Sequence, residues 1–270
     1  MRLCFSGATT MQSSLFEDLD ACAAAGWPEY EVWLTKLETC LRDRDIASIR
    51  EYAAQKSIRL AAASYQGGLL LSQGEQQKAH FEHFQQRLAL CEALGIRTML
   101  IVADFARSVQ QQDLERAVVS LRQASQWAAG FGVTLALEFR GADAFCASLD
   151  TAVSLVEHAG ESNLGVCLDV FHFYKGPSKL EDLDSLPPHR LAFLQVSDVA
   201  GVPREIMSDS DRILPGDGDF QLSVIVKKLG EIGYDGSISV ELFNPQIWQL
   251  PASQVADLAM AAMNRLLERQ

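Results

Sequence analysis

Four apolar stretches of the chain each end in a polar side chain that interrupts the run. VTLALEF carries Glu138. LGVCLDVFHF carries Asp169 and then His172. LAFLQVSD holds Gln195 and then Asp198, and GSISVELF holds Glu241. An ionised carboxylate at the rim of an apolar strand is costly unless it is paired or bound to a cation. Brought to one point, Glu138, Asp169 and Glu241 supply three anionic ligands, and Gln195 supplies a neutral amide oxygen. A divalent cation would offset their mutual repulsion and fill its coordination from them. The alternative is that each group is salt-bridged or hydrogen-bonded to a neighbouring helix. Four such groups at the ends of successive strands favour the shared cation.

These residues need a scaffold that gathers successive strand ends. Short apolar segments alternate with longer amphipathic ones along the whole chain. Strands are expected at 2–6, 30–34, 58–63, 98–103, 133–139, 164–170, 191–197 and 237–243. Helices are expected over 15–25, 45–56, 81–94, 113–131, 149–159, 222–232 and 253–268, where apolar residues recur at i, i+3, i+4 and i+7. Several of these helices run into a glycine, a residue suited to the left-handed turn that closes a helix. Eight such units average about 34 residues each, close to the unit of a (β/α)8 TIM barrel. The expected fold is therefore α/β, a TIM barrel formed as a single domain over 1–270. A doubly wound sheet would more often show a glycine-rich phosphate turn after its first strand, and here that strand runs into SGATT. The longest stretches without periodicity, 171–190 and 199–220, follow late strands, on the face where barrels build active sites.

Composition narrows the function. A net charge of −12 would repel a polyanion, so nucleic acid is not an expected partner. No apolar run approaches the roughly 18–20 residues of a membrane span, and MRLCFSGATT lacks the pattern of a signal peptide. A cytoplasmic location without membrane association is expected. The six cysteines form no C-x-x-C pair, and several sit in apolar runs, which suits buried reduced thiols.

At its strand ends the chain resembles the xylose-isomerase-like TIM-barrel family of sugar isomerases and epimerases, and within it the inosose isomerases of myo-inositol breakdown. The resemblance runs from RLCFSGATT (2–10) through LALEF (135–139) and LGVCLDVFHF (164–173). It is densest in DRILPGDGDFQL (211–222) and SISVELFNP (237–245). It implies one divalent metal held by a Glu, an Asp, a His and a Glu from the last four strands. Glu138, Asp169 and Glu241 match. The third position departs, with Gln195 where the isomerases usually have His; bacterial 3-dehydroshikimate dehydratases of the same superfamily look similar there. The resemblance also implies substrate binding by His172 and by Arg212 in the P-G-x-G loop. The endonuclease branch of this fold binds several zinc ions through many histidines. This chain has five His, of which only His172 lies at a strand end.

A bound cation polarises a carbonyl oxygen and stabilises the enolate formed beside it. Glu138 and Glu241, approaching from different sides, would act as the catalytic bases, one removing a proton and the other returning it. An all-oxygen ligand set shifts the expected cation toward Mn or Mg and away from Zn. The expected activity is a metal-dependent isomerase or epimerase acting on a small keto-cyclitol or ketose without phosphate. The alternatives are a dehydratase of the 3-dehydroshikimate type using the same metal, with His172 as acid, and a catalytically idle sugar-binding barrel. Arg212 reads as a hydroxyl clamp or as the counter-charge of Asp209 or Asp211. Trp248 reads as a pocket floor or a subunit contact. Tyr65 and Gln66 are weaker candidates for substrate contact. Glu31 reads as a partner to the ligands, Arg140 as a surface residue, and His80 and His83 as structural. Homo-oligomerisation is left open.

Overall fold

The structure, a computed structural model, describes residues 1–105 and 107–268; residues 106, 269 and 270 of the expected domain lie outside it. Its strands are β1 (Arg2–Ser6), β2 (Glu29–Trp33), β3 (Arg59–Gln66), β4 (Thr98–Val102), β5 (Thr134–Glu138), β6 (Leu164–Asp169), β7 (Leu191–Val196) and β8 (Ser237–Val240). They join in chain order into a closed barrel. The helices are α1 (Leu15–Ala25), α2 (Leu34–Cys40), α3 (Ile46–Gln55), α4 (Gly74–Leu94), α5 (Gln111–Gly130), α6 (Leu149–Ala159), α7 (Val170–Lys175), α8 (Leu222–Glu231) and α9 (Ala252–Glu268).

Every expected strand is present, with ends displaced in informative ways. β3 continues to Gln66, so Tyr65 and Gln66 belong to the strand rather than following it. β8 stops at Val240, which leaves Glu241 as the first residue beyond it. α4 starts at Gly74 rather than at residue 81, because its first two turns are polar and largely exposed and carry no apolar period. Two short helices, α2 and α7, were not expected. Six residues are too few to show a helical period, and α7 is started instead by Asp169, whose Oδ1 accepts from the Phe171 N–H at 2.9 Å.

Contacts divide the chain into two compact units, one of Met1–Ala61 with Leu194–Gln270 and one of Ala62–Phe193. In the first, β1 lies between β2 and β8, pairing Cys4 with Glu29 and Ser239, and Ser6 with Glu31. β7 pairs Gln195 with Ser239. Side chains alternate across a strand, so these residues share one face. The opposite face presents Phe5, Tyr30, Val32, Val196, Ile238 and Val240, all buried. The shared face is polar, and it too is buried: Cys4, Ser6, Glu29, Glu31, Gln195, Ser237 and Ser239. Barrel interiors are more often filled by bulky branched side chains. A buried polar face persists only if its groups are hydrogen-bonded to one another. Glu29 accepts from Arg2 Nε at 2.8 Å, Arg59 Nε at 3.0 Å and Ser237 Oγ at 2.5 Å. In a separate buried group, the Lys36 ammonium meets Asp18 Oδ2 and the Thr10 carbonyl, each at 2.6 Å, and Tyr30 donates to the same Asp18 oxygen.

In the second unit, β4, β5 and β6 pair in register, placing Glu138 beside Val102 and Cys167. Leu88, Leu121, Leu135, Leu137 and Val166 are among its fully buried residues. The buried Arg87 of α4 donates to the Tyr65 carbonyl at 3.0 Å and to Gln66 Oε1 at 3.2 Å. Five of the six cysteines are buried and none is in a disulfide, as their apolar settings predict. Burial pushes the Cys91 thiol up to about 12. Among the described residues, no helix is long and apolar enough to cross a membrane.

Candidate metal centre

In the second unit, the ends of β5 and β6 bring three ligand-bearing side chains together. Glu138 is the last residue of β5 and Asp169 the last of β6. The backbone then turns directly into α7, so His172 rises one turn later over the same strand end. Its Nε2 lies 3.5 Å from Glu138 Oε1 and 3.8 Å from Asp169 Oδ2. Ligand atoms of the three all lie within 4.8 Å of one another, a spacing that suits donors around a common ion. Asp169 and His172 are buried and Glu138 is 9 % exposed. Two carboxylates and an imidazole held this close in a largely dry setting form a donor set that fits a divalent cation. His172, expected at the substrate, stands among the ligand-bearing groups, and the D-x-x-H spacing is the signal for that proximity.

In the first unit, Gln195 and Glu241 are in direct contact. The Gln195 amide nitrogen donates to Glu241 Oε1 at 2.8 Å and to Glu31 Oε1 at 2.9 Å. Ser239 Oγ donates to the other Glu31 oxygen at 2.6 Å. Glu31 thus bonds to Gln195 directly. Both amide hydrogens of Gln195 are engaged by carboxylates, so its carbonyl oxygen is the atom this side chain can offer a cation.

Arg212 joins the same group and is almost wholly buried. Its Nη1 lies 3.4 Å from Glu241 Oε2, while Nε and Nη2 reach Asp209 Oδ1 at 3.0 and 2.7 Å. Of the two counter-charges expected, Asp209 is engaged by Arg212. Asp211 instead accepts from the Ser208 N–H and hydroxyl. The guanidinium sits over Phe243, 5.6 Å from the ring centroid. Phe243 in turn meets Trp33 and Trp248 edge-on, at 5.5 and 6.3 Å. Trp248 is fixed through its indole N–H, which donates to the Ala8 and Leu242 carbonyls at 2.9 and 3.2 Å. Trp33 and Phe243 were not anticipated, since aromatic residues at strand ends are more often simple core.

The segment carrying Arg212 is anchored by Asp198. This buried carboxylate, flagged as a polar strand end, accepts from the N–H groups of Val199 at 2.9 Å, Gly216 at 3.0 Å and Phe220 at 2.9 Å. Burial pushes its pKa up, and these N–H donors pull it back down. Asp198 and Ile213 form an antiparallel bridge, and Asn244 donates to the Arg212 carbonyl at 2.9 Å. Gly218 is required by close approach: a Cβ there would fall 2.3 Å from Asp198 Oδ1 and 2.5 Å from the Val199 carbonyl. Gly216 has φ of +85°, which a side chain would strain.

The remaining candidates belong to the second unit. Tyr65 is 43 % exposed. Gln66 is held by Arg87 and the Gly67 carbonyl. Arg140 is exposed, as expected. His80 meets the Gly68 carbonyl through Nδ1 at 2.8 Å, in keeping with a structural role.

The xylose isomerase-like TIM barrel family matches residues 19–266 of this chain. The inosose isomerase of Bacillus velezensis is 28% identical over 267 residues, covering 96% of this chain and 94% of that protein. The 3-dehydroshikimate dehydratase of Pseudomonas aeruginosa is 24% identical over 237 residues, covering 87% of this chain but only 37% of that longer protein. A crystal structure of the IolI protein with a bound zinc atom superposes with a TM-score of 0.95 at 26% identity, covering 100% of this chain and 99% of that one. The chain belongs to the xylose isomerase-like TIM barrel family.

Proposed function

We propose that this protein is a divalent-metal-dependent isomerase or epimerase that enolises a non-phosphorylated keto-cyclitol or ketose of the inosose type. The observation that carries the reading is the grouping of Glu138, Asp169 and His172, with ligand atoms within 4.8 Å of one another at two adjacent strand ends. Glu138, Asp169, Gln195 and Glu241 are the proposed ligands of one ion. When bound, that ion would supply positive charge for a substrate carbonyl oxygen.

The remaining work falls to side chains. One of Glu138 and Glu241 takes the proton from the carbon beside the ketone, leaving an enediolate. The other delivers a proton to the opposite face or to the former carbonyl carbon. His172 holds a substrate hydroxyl through Nε2. Arg212, with Nε and Nη2 on Asp209 and Nη1 3.4 Å from Glu241 Oε2, offers Nη1 to a substrate hydroxyl as well, and its seat over Phe243, which Trp248 meets edge-on, keeps the guanidinium in place. Tyr65 and Trp248 are proposed as further substrate contacts.

Oxygen donors alone favour Mn or Mg over Zn in this reading. The zinc seen in the IolI structure belongs to that protein. A cytoplasmic location, small-molecule partners and no membrane or nucleic-acid partner complete it; self-association is open. Gln195 favours one second reading, dehydration of a 3-dehydroshikimate-like substrate with His172 protonating the leaving hydroxyl. Incubation with inosose, ketohexoses and 3-dehydroshikimate in deuterated water with Mn present separates these. Deuterium entering inosose or a ketose supports the isomerase. An aromatic product absorbing in the near ultraviolet supports the dehydratase. Binding of a substrate with neither change supports the idle barrel and refutes both.

A further inference from the structure

We infer that Glu31 is the positioning residue that sets the orientation of the Gln195 amide, and so selects oxygen rather than nitrogen as the atom Gln195 offers a cation. The inference rests on the proposed ligand role of Gln195.

An amide in a ligand position is ambiguous, because its two ends are nearly the same size but only the oxygen can bind a cation. A glutamine that flipped would turn NH2 toward the ion. The Gln195 nitrogen lies 2.9 Å from Glu31 Oε1 and 2.8 Å from Glu241 Oε1. Flipping the amide would bring its oxygen against two carboxylate oxygens. In a buried site that repulsion is strong, so two acceptors on one side enforce a single orientation. Glu241 alone would exert half of this control, and as a proposed ligand its charge is shared with the ion. Glu31 is the dedicated acceptor. It is fully buried in β2, and Ser239 Oγ holds its second oxygen at 2.6 Å. Ser239 also pairs in register with Gln195 across β7 and β8, so strand pairing fixes these two together and the Ser239 hydroxyl ties Glu31 to them.

The test is a cycle of variants with Mn2+ affinity of the metal-stripped full-length protein as readout, measured by calorimetry, with the circular dichroism spectrum as a folding check. Glu31→Gln leaves one acceptor and one donor where two acceptors stood; when its oxygen accepts from Ser239 its NH2 faces Gln195, so the preference is weakened. We expect it to weaken Mn2+ binding by roughly 10–100-fold, the usual effect of losing a group that orients a ligand. In a Gln195→Ala background the same change should alter affinity by no more than about twofold, because Glu31 acts through Gln195. An equal loss in both backgrounds, or none in either, overturns the inference. If Gln195→Ala by itself leaves Mn2+ affinity intact, the ligand role of Gln195 falls, and this inference falls with it. Should Glu31→Gln fail to fold, Ser239→Ala, which frees one Glu31 oxygen, is expected to give a smaller loss with the same dependence on Gln195. Independence from Gln195 would again overturn it.

Discussion

His172 Nε2 stands 3.5 Å from Glu138 Oε1, although the two residues come from different strand ends. The spacing puts the imidazole where it can touch both a bound ion's ligands and a substrate hydroxyl. The proposed role is the second. His172→Asn should then lower kcat/KM by roughly 10²–10⁴-fold, the range for loss of a group that handles protons or hydroxyls at the reacting centre. Mn2+ affinity of the variant should stay within about tenfold of the parent. Parallel collapse of affinity and turnover would make His172 a ligand instead.

Asp198 predicts a different signature. Its carboxylate collects the backbone N–H groups of Val199, Gly216, Gly218 and Phe220, in the segment that carries Arg212. Asp198→Ala should destabilise the fold by about 2–4 kcal/mol, since each buried N–H left unmade costs about 1–3 kcal/mol and part of the segment can rehydrate. Through Arg212, KM should rise more than kcat falls. Urea unfolding and steady-state kinetics on the same preparation check both. Unchanged stability would show that the segment does not depend on this anchor.

These two residues also mark how far the sequence is legible. Strand-end polarity picked out Glu138, Asp169, Gln195 and Glu241, because a charge that interrupts an apolar run is a local signal. The same signal flagged Asp198, but one chain cannot reveal whether a carboxylate meets a ligand or its own backbone. Glu31 was visible only as a polar residue in β2. Its alternation with Glu29, matched by Ser237 and Ser239 in β8, carried the further message of a polar inner face. The short helices α2 and α7 escaped because they hold too few residues for a period. The contacts Arg212–Phe243 and Phe243–Trp248 depend on how segments pack, which periodicity does not encode.

The thiols give a prediction independent of catalysis. Burial raises the Cys91 pKa to about 12, and it also raises those of Cys4, Cys22 and Cys146. Only the thiolate attacks disulfide reagents, and at pH 8 a group of pKa 12 is thiolate at roughly one part in 10⁴. Raising the pH from 7 to 9 should therefore increase native labelling only at the half-buried Cys40. A disulfide reagent should titrate about one thiol in the folded protein and all six in guanidinium. Rapid labelling of several thiols in the native state would contradict the buried placement.

Metal removal should abolish activity. Chelator-treated, dialysed protein is expected to lose turnover by at least about 10³-fold and to recover with Mn2+ or Mg2+ more fully than with Zn2+, since carboxylate and amide oxygens suit the harder cations. Full activity after stripping would refute metal dependence. Better recovery with Zn2+ would indicate nitrogen coordination, for which His172 is the nearest group to Glu138 and Asp169.

The most direct measurement is an anomalous difference map from crystals of the Mn2+-loaded protein. The proposed function requires one strong peak within about 2.0–2.4 Å of oxygen atoms from Glu138, Asp169, Gln195 and Glu241. No peak at these side chains, or a peak that leaves Gln195 and Glu241 out, would contradict it.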